Sequence, residues 1–343
     1  MVRIGVIGCG KVAQVRHLPE IAGLEDGKLY ALYDLKRQRA EAMSELYGGT
    51  VYDSWQQMID DPAIDAVFVL TANATHAEIS SAALRAGKHV MCEKPMAVSL
   101  EQCEEMVEAA EKTGTYLMIG QNQRLSGAHV KAKELIDQGL IGKILTFQTT
   151  FGHSGADNWS IDGENSWFFD KEKAHFGVMA DLGVHKTDLI HFLTGEYVTD
   201  VEAILTTLDK RDINGNLIEV DDNALCLYRL SEGTIGTMCA SWTRYGIEDN
   251  STVLYGTKGI MEIYKNPEHT IVIHKKDGET LYFDEEAIQT NDNQTDSGIA
   301  RLFVDGIEGR KERAITGKSV IKAMKAIFAA EESNRTGKMV HIL

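Results

Sequence analysis

The chain has little proline and cysteine and no long apolar run. Its 343 residues include 4 Pro and 5 Cys, and no two cysteines have the CxxC spacing of a metal site. Free thiols in this number fit a reducing compartment better than a disulfide framework. The most apolar window, residues 64–72, is far shorter than the roughly 18 residues of a membrane span. Because no basic, apolar leader precedes a first strand at Val2, we expect a cytoplasmic protein.

An excess of positive charge is also missing. Lys and Arg total 35 against 51 Asp and Glu, which gives a net charge of −16, and the acidic residues are spread along the chain. Binding to nucleic acid or to an anionic membrane needs clustered cations, so neither is an expected partner. The chain is long enough for two globular domains, and a small molecule is the expected partner.

Up to about residue 120, short apolar runs alternate with longer helical stretches, which is typical of parallel βαβ units. Strands are predicted over residues 2–8, 28–34, 66–71, 88–92 and 115–119. Beyond Gln121, runs of alternating character separated by turns indicate a different sheet. The sequence therefore predicts an α/β protein, with an N-terminal Rossmann domain over residues 1–121. A C-terminal α/β domain with a large, open, mainly antiparallel sheet is predicted over residues 122–343.

The segment from Gly8 to Ala13 fits the pattern G-x-G-x-x-[G/A] between the first strand and a helix. Gly8 permits a tight turn, and Gly10 lets the backbone approach a pyrophosphate. Lys11 and Val12 open the helix whose N-terminus faces the anion. This context predicts a dinucleotide site.

Asp34 ends the second predicted strand, where a carboxylate can accept from the adenosine ribose hydroxyls and repel a 2′-phosphate. NAD is therefore the preferred cofactor. Lys36 and Arg37 follow immediately and could pair with such a phosphate, so NADP stays possible.

Glu93, Lys94 and Pro95 follow another buried strand, at the sheet edge where ligands bind in this class of fold. The Lys94 ammonium could stabilise negative charge that develops on an alkoxide or carbonyl oxygen. A surface salt bridge with Glu93 is the alternative.

Asp181, His185 and Asp188 have the spacing i, i+4 and i+7, which predicts one helical face. An imidazole flanked by carboxylates on its own helix is suited to proton transfer near neutral pH. The segment is not H-E-x-x-H, so we expect no metal. A packed structural histidine is the alternative.

The stretch from His153 to Asp170 mixes tryptophans with short polar side chains, among them Asp157, Trp159 and Trp167. Carbohydrate rings bind to that mixture of flat apolar faces and hydrogen-bonding groups. Ordinary packing of the tryptophans is the alternative.

Together these blocks resemble the glucose-fructose oxidoreductase and inositol dehydrogenase family, Gfo/Idh/MocA. The matching positions are Gly8-Cys9-Gly10, Asp34, Thr71-Ala72-Asn73 with His76, Glu93-Lys94-Pro95, Gln121-Asn122-Gln123-Arg124, residues 177–188 and Arg335-Thr336-Gly337. The resemblance implies a homo-dimer or homo-tetramer, formed in many relatives through the open sheet.

The resemblance also implies site residues. His185 would move the substrate proton, Lys94 would hold the reacting oxygen and Asp181 would orient His185 or substrate. Cofactor contacts are implied for Gly8, Gly10, Lys11, Val12, Asp34, Thr71, Asn73, His76, Glu93, Lys94 and Gln121. Substrate contacts are predicted for Lys94, Asn122, Arg124, Asp157, Trp159, Trp167, Asp181 and His185.

The expected activity is NAD(P)-dependent hydride transfer at a secondary hydroxyl or ketone of a sugar, sugar derivative or cyclitol. Two alternatives remain open, a glycoside-cleaving enzyme that oxidises the ring transiently and a regulator that binds NAD(P) without catalysis. The segment Ala174-His175-Phe176-Gly177 keeps one glycine of a run common in the family, and Trp167 is not followed by arginine. The identity of the substrate therefore does not follow from the substrates of relatives.

Overall fold

The computed structural model describes residues 1–286 and 296–342. Its first sheet has six strands in the order β3-β2-β1-β4-β5-β6, and every neighbouring pair is parallel. They are β1 (Val2–Ile7), β2 (Gly27–Tyr33), β3 (Thr50–Val51), β4 (Ala66–Val69), β5 (His89–Cys92) and β6 (Leu117–Ile119). The central strands β1, β4 and β5 are almost wholly buried because helices cover both faces of such a sheet.

The helices of this half follow the strands in alternation. They are α1 (Leu18–Ala22), α2 (Arg37–Tyr47), α3 (Trp55–Asp60), α4 (His76–Arg85) and α5 (Leu100–Thr113). A π-helical segment, Ala13–His17, precedes α1 and begins directly after the glycine turn. Wider turns of this kind are frequent at functional sites.

The second sheet has nine strands in the order β14-β13-β12-β11-β7-β10-β9-β8-β15. They are β7 (Ile144–Gly152), β8 (Val198–Thr206), β9 (Asn223–Leu230), β10 (Ile235–Ser241), β11 (Thr252–Gly256), β12 (Gly259–Ile263), β13 (Ile271–Lys275), β14 (Thr280–Phe283) and β15 (Val340–His341). Strands β7 and β10 are parallel, and the other neighbouring strands of this sheet are antiparallel.

Five further α-helices follow in the described part of the chain. They are α6 (Gly127–Asp137), α7 (Lys171–Ala174), α8 (Val184–Thr194), α9 (Ile299–Ile307) and α10 (Gly317–Thr336). A second π-helical segment, Met179–Gly183, leads into α8.

The last two helices return to the first sheet. Phe303 of α9 packs edge-on against Phe68 of β4, with ring centroids 5.4 Å apart, and lies 5.3 Å from the Tyr116 ring. The backbone before α10 forms a bridge between Met118 and Thr316. This packing ties the C-terminal segment to the N-terminal half and holds the two sheets together.

The predicted architecture is confirmed, with a parallel Rossmann sheet followed by a large, mainly antiparallel sheet. The strands predicted for the first domain do not include β3. This strand has two residues, too few for a hydrophobic period to be recognised. No helix in residues 1–286 or 296–342 is long and apolar enough to cross a membrane.

Candidate functional site

A cavity of about 360 Å³ lies between the carboxyl ends of the first sheet and the start of α8. Twelve of the predicted site residues line it. They are Gly10, Lys11, Val12, Thr71, Asn73, Glu93, Lys94, Asn122, Trp159, Trp167, Asp181 and His185. The fold thus brings together residues from both halves of the chain.

The glycine turn closes one end of the cavity. Gly8 has φ +99°, and a Cβ there would lie 2.6 Å from the Leu70 carbonyl oxygen, so only glycine fits without strain. A Cβ on Gly10 would meet nothing within 4 Å and would project into open space. Asp34 follows β2 beside this turn, and its carboxylate accepts from the Cys9 and Lys36 backbone N–H groups, each at 2.7 Å. This turn, open at Gly10 with a carboxylate alongside, fits the pyrophosphate and ribose of a dinucleotide.

Glu93 is buried in a network of positive charge. Its Oε1 lies 2.8 Å from His17 Nε2 and 3.6 Å from Arg16 Nη1. Burial alone would raise the pKa of the Glu93 carboxyl, but the hydrogen bond from His17 and the charges of His17, Arg16 and Lys94 lower it well below its ordinary value. Sequence reasoning missed Arg16 and His17, whose signal is their position one helical turn beyond the glycine motif.

Lys94 and Asp181 form an ion pair across the two halves of the chain. Lys94 Nζ donates to Asp181 Oδ1 at 2.7 Å and to the Asp181 carbonyl oxygen at 2.9 Å. Asp181 Oδ2 accepts from Trp242 Nε1 at 3.0 Å. Burial would raise the pKa of Asp181, yet the Lys94 ammonium, His153 and the Trp242 hydrogen bond lower it. Lys94 thus pairs with Asp181, and not with Glu93 as in the alternative interpretation of a surface salt bridge.

His185 faces the cavity from the first turn of α8. Burial and the nearby Lys94 charge lower its pKa well below its usual value, so the imidazole is neutral near pH 7. Its buried Nδ1 has no hydrogen-bond partner within residues 1–286 and 296–342. A neutral ring with an available nitrogen can accept a proton from a bound hydroxyl group.

The expectation that two carboxylates flank His185 is wrong in its contacts. Asp181 lies in the π-helical segment, which changes the helical register, and it pairs with Lys94. Asp188 pairs with Arg124 through two hydrogen bonds. Each carboxylate is held instead by a cation distant in the sequence, Asp181 by Lys94 and Asp188 by Arg124.

His153, at the end of β7, is a cavity residue that the motifs did not identify. Its Nδ1 accepts from the Gly155 N–H at 2.9 Å, which leaves the proton on Nε2. Nε2 lies 4.0 Å from Asp181 Oδ2. The ring is thus a hydrogen-bond donor in the cavity wall, close to Asp181.

The aromatic loop between β7 and α7 covers the cavity. The Trp167 and Phe168 rings stack with centroids 4.0 Å apart, and Trp159 meets Phe168 edge-on at 6.2 Å. Asp157 was predicted to contact the substrate, but it does not line the cavity. Both of its carboxylate oxygens lie 2.9 Å from Lys210 Nζ. Asp157 therefore anchors the loop, while Trp159 and Trp167 line the cavity.

Six predicted site residues do not line the cavity, and these are Gly8, Asp34, His76, Gln121, Arg124 and Asp157. His76 is buried, and its two ring nitrogens contact the carbonyl oxygens of Pro95 and Thr71. Gln121 is also buried. Arg124 is consumed by the Asp188 pair.

In the described part of the chain no group of three or more His, Cys, Asp or Glu side chains is arranged to hold a metal ion. Lys94, the Asp181 carboxylate and the neutral His185 imidazole instead face the cavity together, beside the glycine turn. That combination can hold a hydroxyl oxygen, move its proton and bind an anionic dinucleotide.

Two regions of the chain match models of known protein families. Residues 2–121 match an oxidoreductase family with an NAD-binding Rossmann fold, and residues 129–262 match the GFO/IDH/MocA C-terminal domain. The myo-inositol 2-dehydrogenase of Thermotoga maritima is 28% identical over 338 residues, which cover 96% of each chain. The levoglucosan dehydrogenase of Pseudarthrobacter phenanthrenivorans is 33% identical over 225 residues, covering 60% of this chain and 56% of the relative.

A solved structure of levoglucosan dehydrogenase in complex with NADH and levoglucosan has the same fold. Its TM-score to this chain is 0.86 over 99% of both chains, at 24% sequence identity.

Proposed function

The chain belongs to the GFO/IDH/MocA family of NAD-binding oxidoreductases, and from that membership we propose that it transfers hydride at a secondary hydroxyl or ketone of a sugar or cyclitol. The observation that carries this proposal is the meeting of Lys94, Asp181 and His185 in one cavity with the glycine turn. A non-catalytic dinucleotide-binding protein has no need for a buried lysine beside a neutral imidazole.

The residues divide the proton chemistry between them. In the oxidation direction, neutral His185 accepts the hydroxyl proton, and in reduction the protonated ring returns it. Lys94 donates a hydrogen bond to the same oxygen and stabilises its negative charge. Asp181 holds the Lys94 ammonium in place at 2.7 Å. A bound nicotinamide supplies the hydride acceptor or donor.

The cofactor is proposed to be NAD. Asp34 lies beside the glycine turn, where an acidic side chain accepts from the ribose 2′-hydroxyl. Gly8, Gly10, Lys11 and Val12 form the pyrophosphate cradle. Thr71, Asn73 and Glu93 line the same cavity and would contact the rest of the cofactor.

The substrate class is supported by the cavity wall and by the relatives. Trp159 and Trp167 supply flat apolar surface, while Asn122 and His153 supply polar groups, and ring polyols bind to such mixtures. Two similar proteins are named for a cyclitol, myo-inositol, and for an anhydrosugar, levoglucosan.

The proposed assembly is a homo-oligomer formed through the uncovered face of the second sheet. Apolar side chains on that face are exposed, among them Ile204 at 62%, Leu225 at 55%, Leu227 at 44% and Ile235 at 46%. Helices α8 and α10 pack against the opposite face. A contiguous apolar patch of this kind is typical of a protein interface.

The test is a panel of cyclitols, monosaccharides and glycosides, incubated with NAD and scored by NADH absorbance. We expect NAD to be reduced in the presence of at least one polyol. Lys94→Ala and His185→Ala should lose turnover but should still bind NADH, as measured by fluorescence. Lys112→Ala, at an exposed lysine on α5, is the matched control and should keep full turnover. Retained turnover in both cavity variants contradicts the proposal.

A further inference from the structure

Asp162, at the tip of the aromatic loop, contacts two cations of the first half of the chain. Its Oδ1 lies 2.9 Å from Lys36 Nζ and 2.7 Å from Arg39 Nη2. Asp162 and Arg39 are about three-quarters buried, and both line the cavity. Since Lys36 is 126 residues away in the sequence, this contact joins the loop to the β2–α2 turn.

Lys36 lies two residues after Asp34, and the Asp162 carboxylate brings the Arg39 guanidinium to the same oxygen as the Lys36 ammonium. The Lys36 backbone N–H donates to Asp34 Oδ1, and Asp34 Oδ2 accepts from the Cys9 N–H in the glycine turn. In this fold the acid after the second strand binds the ribose 2′-hydroxyl, and a nearby cation accommodates a 2′-phosphate. Lys36 and Arg39 are therefore the cations that a 2′-phosphate would use.

We propose that Asp162 is a specificity-determining residue that disfavours NADP(H), because its carboxylate occupies Lys36 and Arg39 where a 2′-phosphate would have to bind. The inference rests on the nicotinamide cofactor of the proposed function and goes beyond Asp34. It assigns part of the cofactor choice to a loop that also covers the substrate cavity.

The position of this carboxylate is set by the loop. The Asp162 N–H donates to Ser160 Oγ at 3.3 Å, and that oxygen accepts from Ser166 Oγ at 2.9 Å. Asp157 and Lys210 anchor the preceding turn. A 2′-phosphate would therefore have to break a preformed pair and would meet a second negative charge beside Asp34.

The test compares the dissociation constants of NADH and NADPH, measured by fluorescence titration without any sugar. Asp162→Asn removes the charge and keeps the shape of the side chain. Glu164→Gln is the matched control, since Glu164 is an exposed carboxylate in the same loop and its change alters the net charge equally. Melting temperatures of all variants confirm that they fold.

We expect Asp162→Asn to shift the NADPH-to-NADH affinity ratio about tenfold toward NADPH, as when a charge-assisted hydrogen bond becomes available to a ligand. Glu164→Gln should leave the ratio unchanged. Adding Arg39→Ala to Asp162→Asn should abolish most of the gain.

An unchanged ratio in Asp162→Asn overturns the inference, and so does an equal shift in Glu164→Gln. These outcomes leave the proposed function intact, because both dinucleotides still bind. A wild-type protein that binds neither dinucleotide overturns the proposed function and this inference together. A wild-type preference for NADPH contradicts the choice of NAD, while the shift in Asp162→Asn still tests the role of Asp162.

Discussion

Replacing Lys94 with methionine tests how much the Lys94–Asp181 ion pair contributes to the stability of the protein. The pair is mostly buried, with Lys94 14% and Asp181 13% exposed. Removing one partner of a buried pair costs about 3–5 kcal/mol, because the other charge stays buried and uncompensated. Asp181 keeps its hydrogen bond from Trp242, so we expect a loss of about 3 kcal/mol in the free energy of unfolding at neutral pH.

The loss should depend on pH with a definite sign. In the wild type the folded-state pKa of Asp181 lies below its ordinary value. Its carboxylate therefore contributes to the free energy of unfolding above the unfolded-state pKa of about 3.9, and this contribution is lost as pH falls. Without Lys94, burial dominates and raises this pKa. The variant then takes up a proton as pH falls and regains stability, so the difference from wild type shrinks.

Guanidinium unfolding at neutral and mildly acidic pH measures both effects. The double variant Lys94→Met/Asp181→Asn has no buried charge at the pair, and we expect it to recover more than half of the loss and to lack the pH dependence. The reasoning is refuted if Lys94→Met costs less than about 1 kcal/mol at neutral pH, the range of an exposed pair. It is also refuted if the cost is the same at every pH.

Two further predictions concern the glycine turn and the open sheet. Gly10→Ala should keep the wild-type unfolding free energy, since its Cβ enters open space, and it should weaken NADH binding because that space is the proposed pyrophosphate site. Gly8→Ala should lose at least about 1 kcal/mol of unfolding free energy in a denaturant titration, because Gly8 has a positive φ and its Cβ would meet the Leu70 oxygen. Equal stability of both variants would contradict this account of the turn. Leu225→Glu should reduce the oligomer size measured by light scattering. The control Leu46→Glu, on the exposed side of α2, should leave that size unchanged. An unchanged size in Leu225→Glu excludes the sheet face as the interface.

The cofactor end of the site could be predicted from the sequence because its residues are close together in the chain. Gly8, Gly10 and Asp34 belong to one βαβ unit, in which strand and helix periods fix which residues face the ligand. Lys94 also follows directly from its place after a buried strand. For these residues, local pattern and topology contain the necessary information.

The contacts between residues distant in the sequence could not be predicted in the same way. The helical spacing placed Asp181 and Asp188 beside His185, yet each carboxylate pairs with a distant cation, Lys94 or Arg124. A helical period describes only neighbours on the same helix. The stronger partners came from elements that the spacing does not connect.

The loop shows the same limit. Its composition predicted a polar and aromatic surface, and Trp159 and Trp167 do line the cavity. Composition did not distinguish Asp157, which is held by Lys210, from Asp162, which reaches Lys36. An irregular loop has no period from which side-chain directions can be read.

The sequence alone determined the two-part α/β architecture and the dinucleotide turn, and it placed Lys94 directly after a buried strand. These features depend on short-range periodicity and on residue types at fixed offsets. Only the tertiary structure decided which charges meet, because a pair such as Lys94 and Asp181 is separated by 87 residues. Packing of the two sheets around one cavity sets those distances, and with them the protonation of the site.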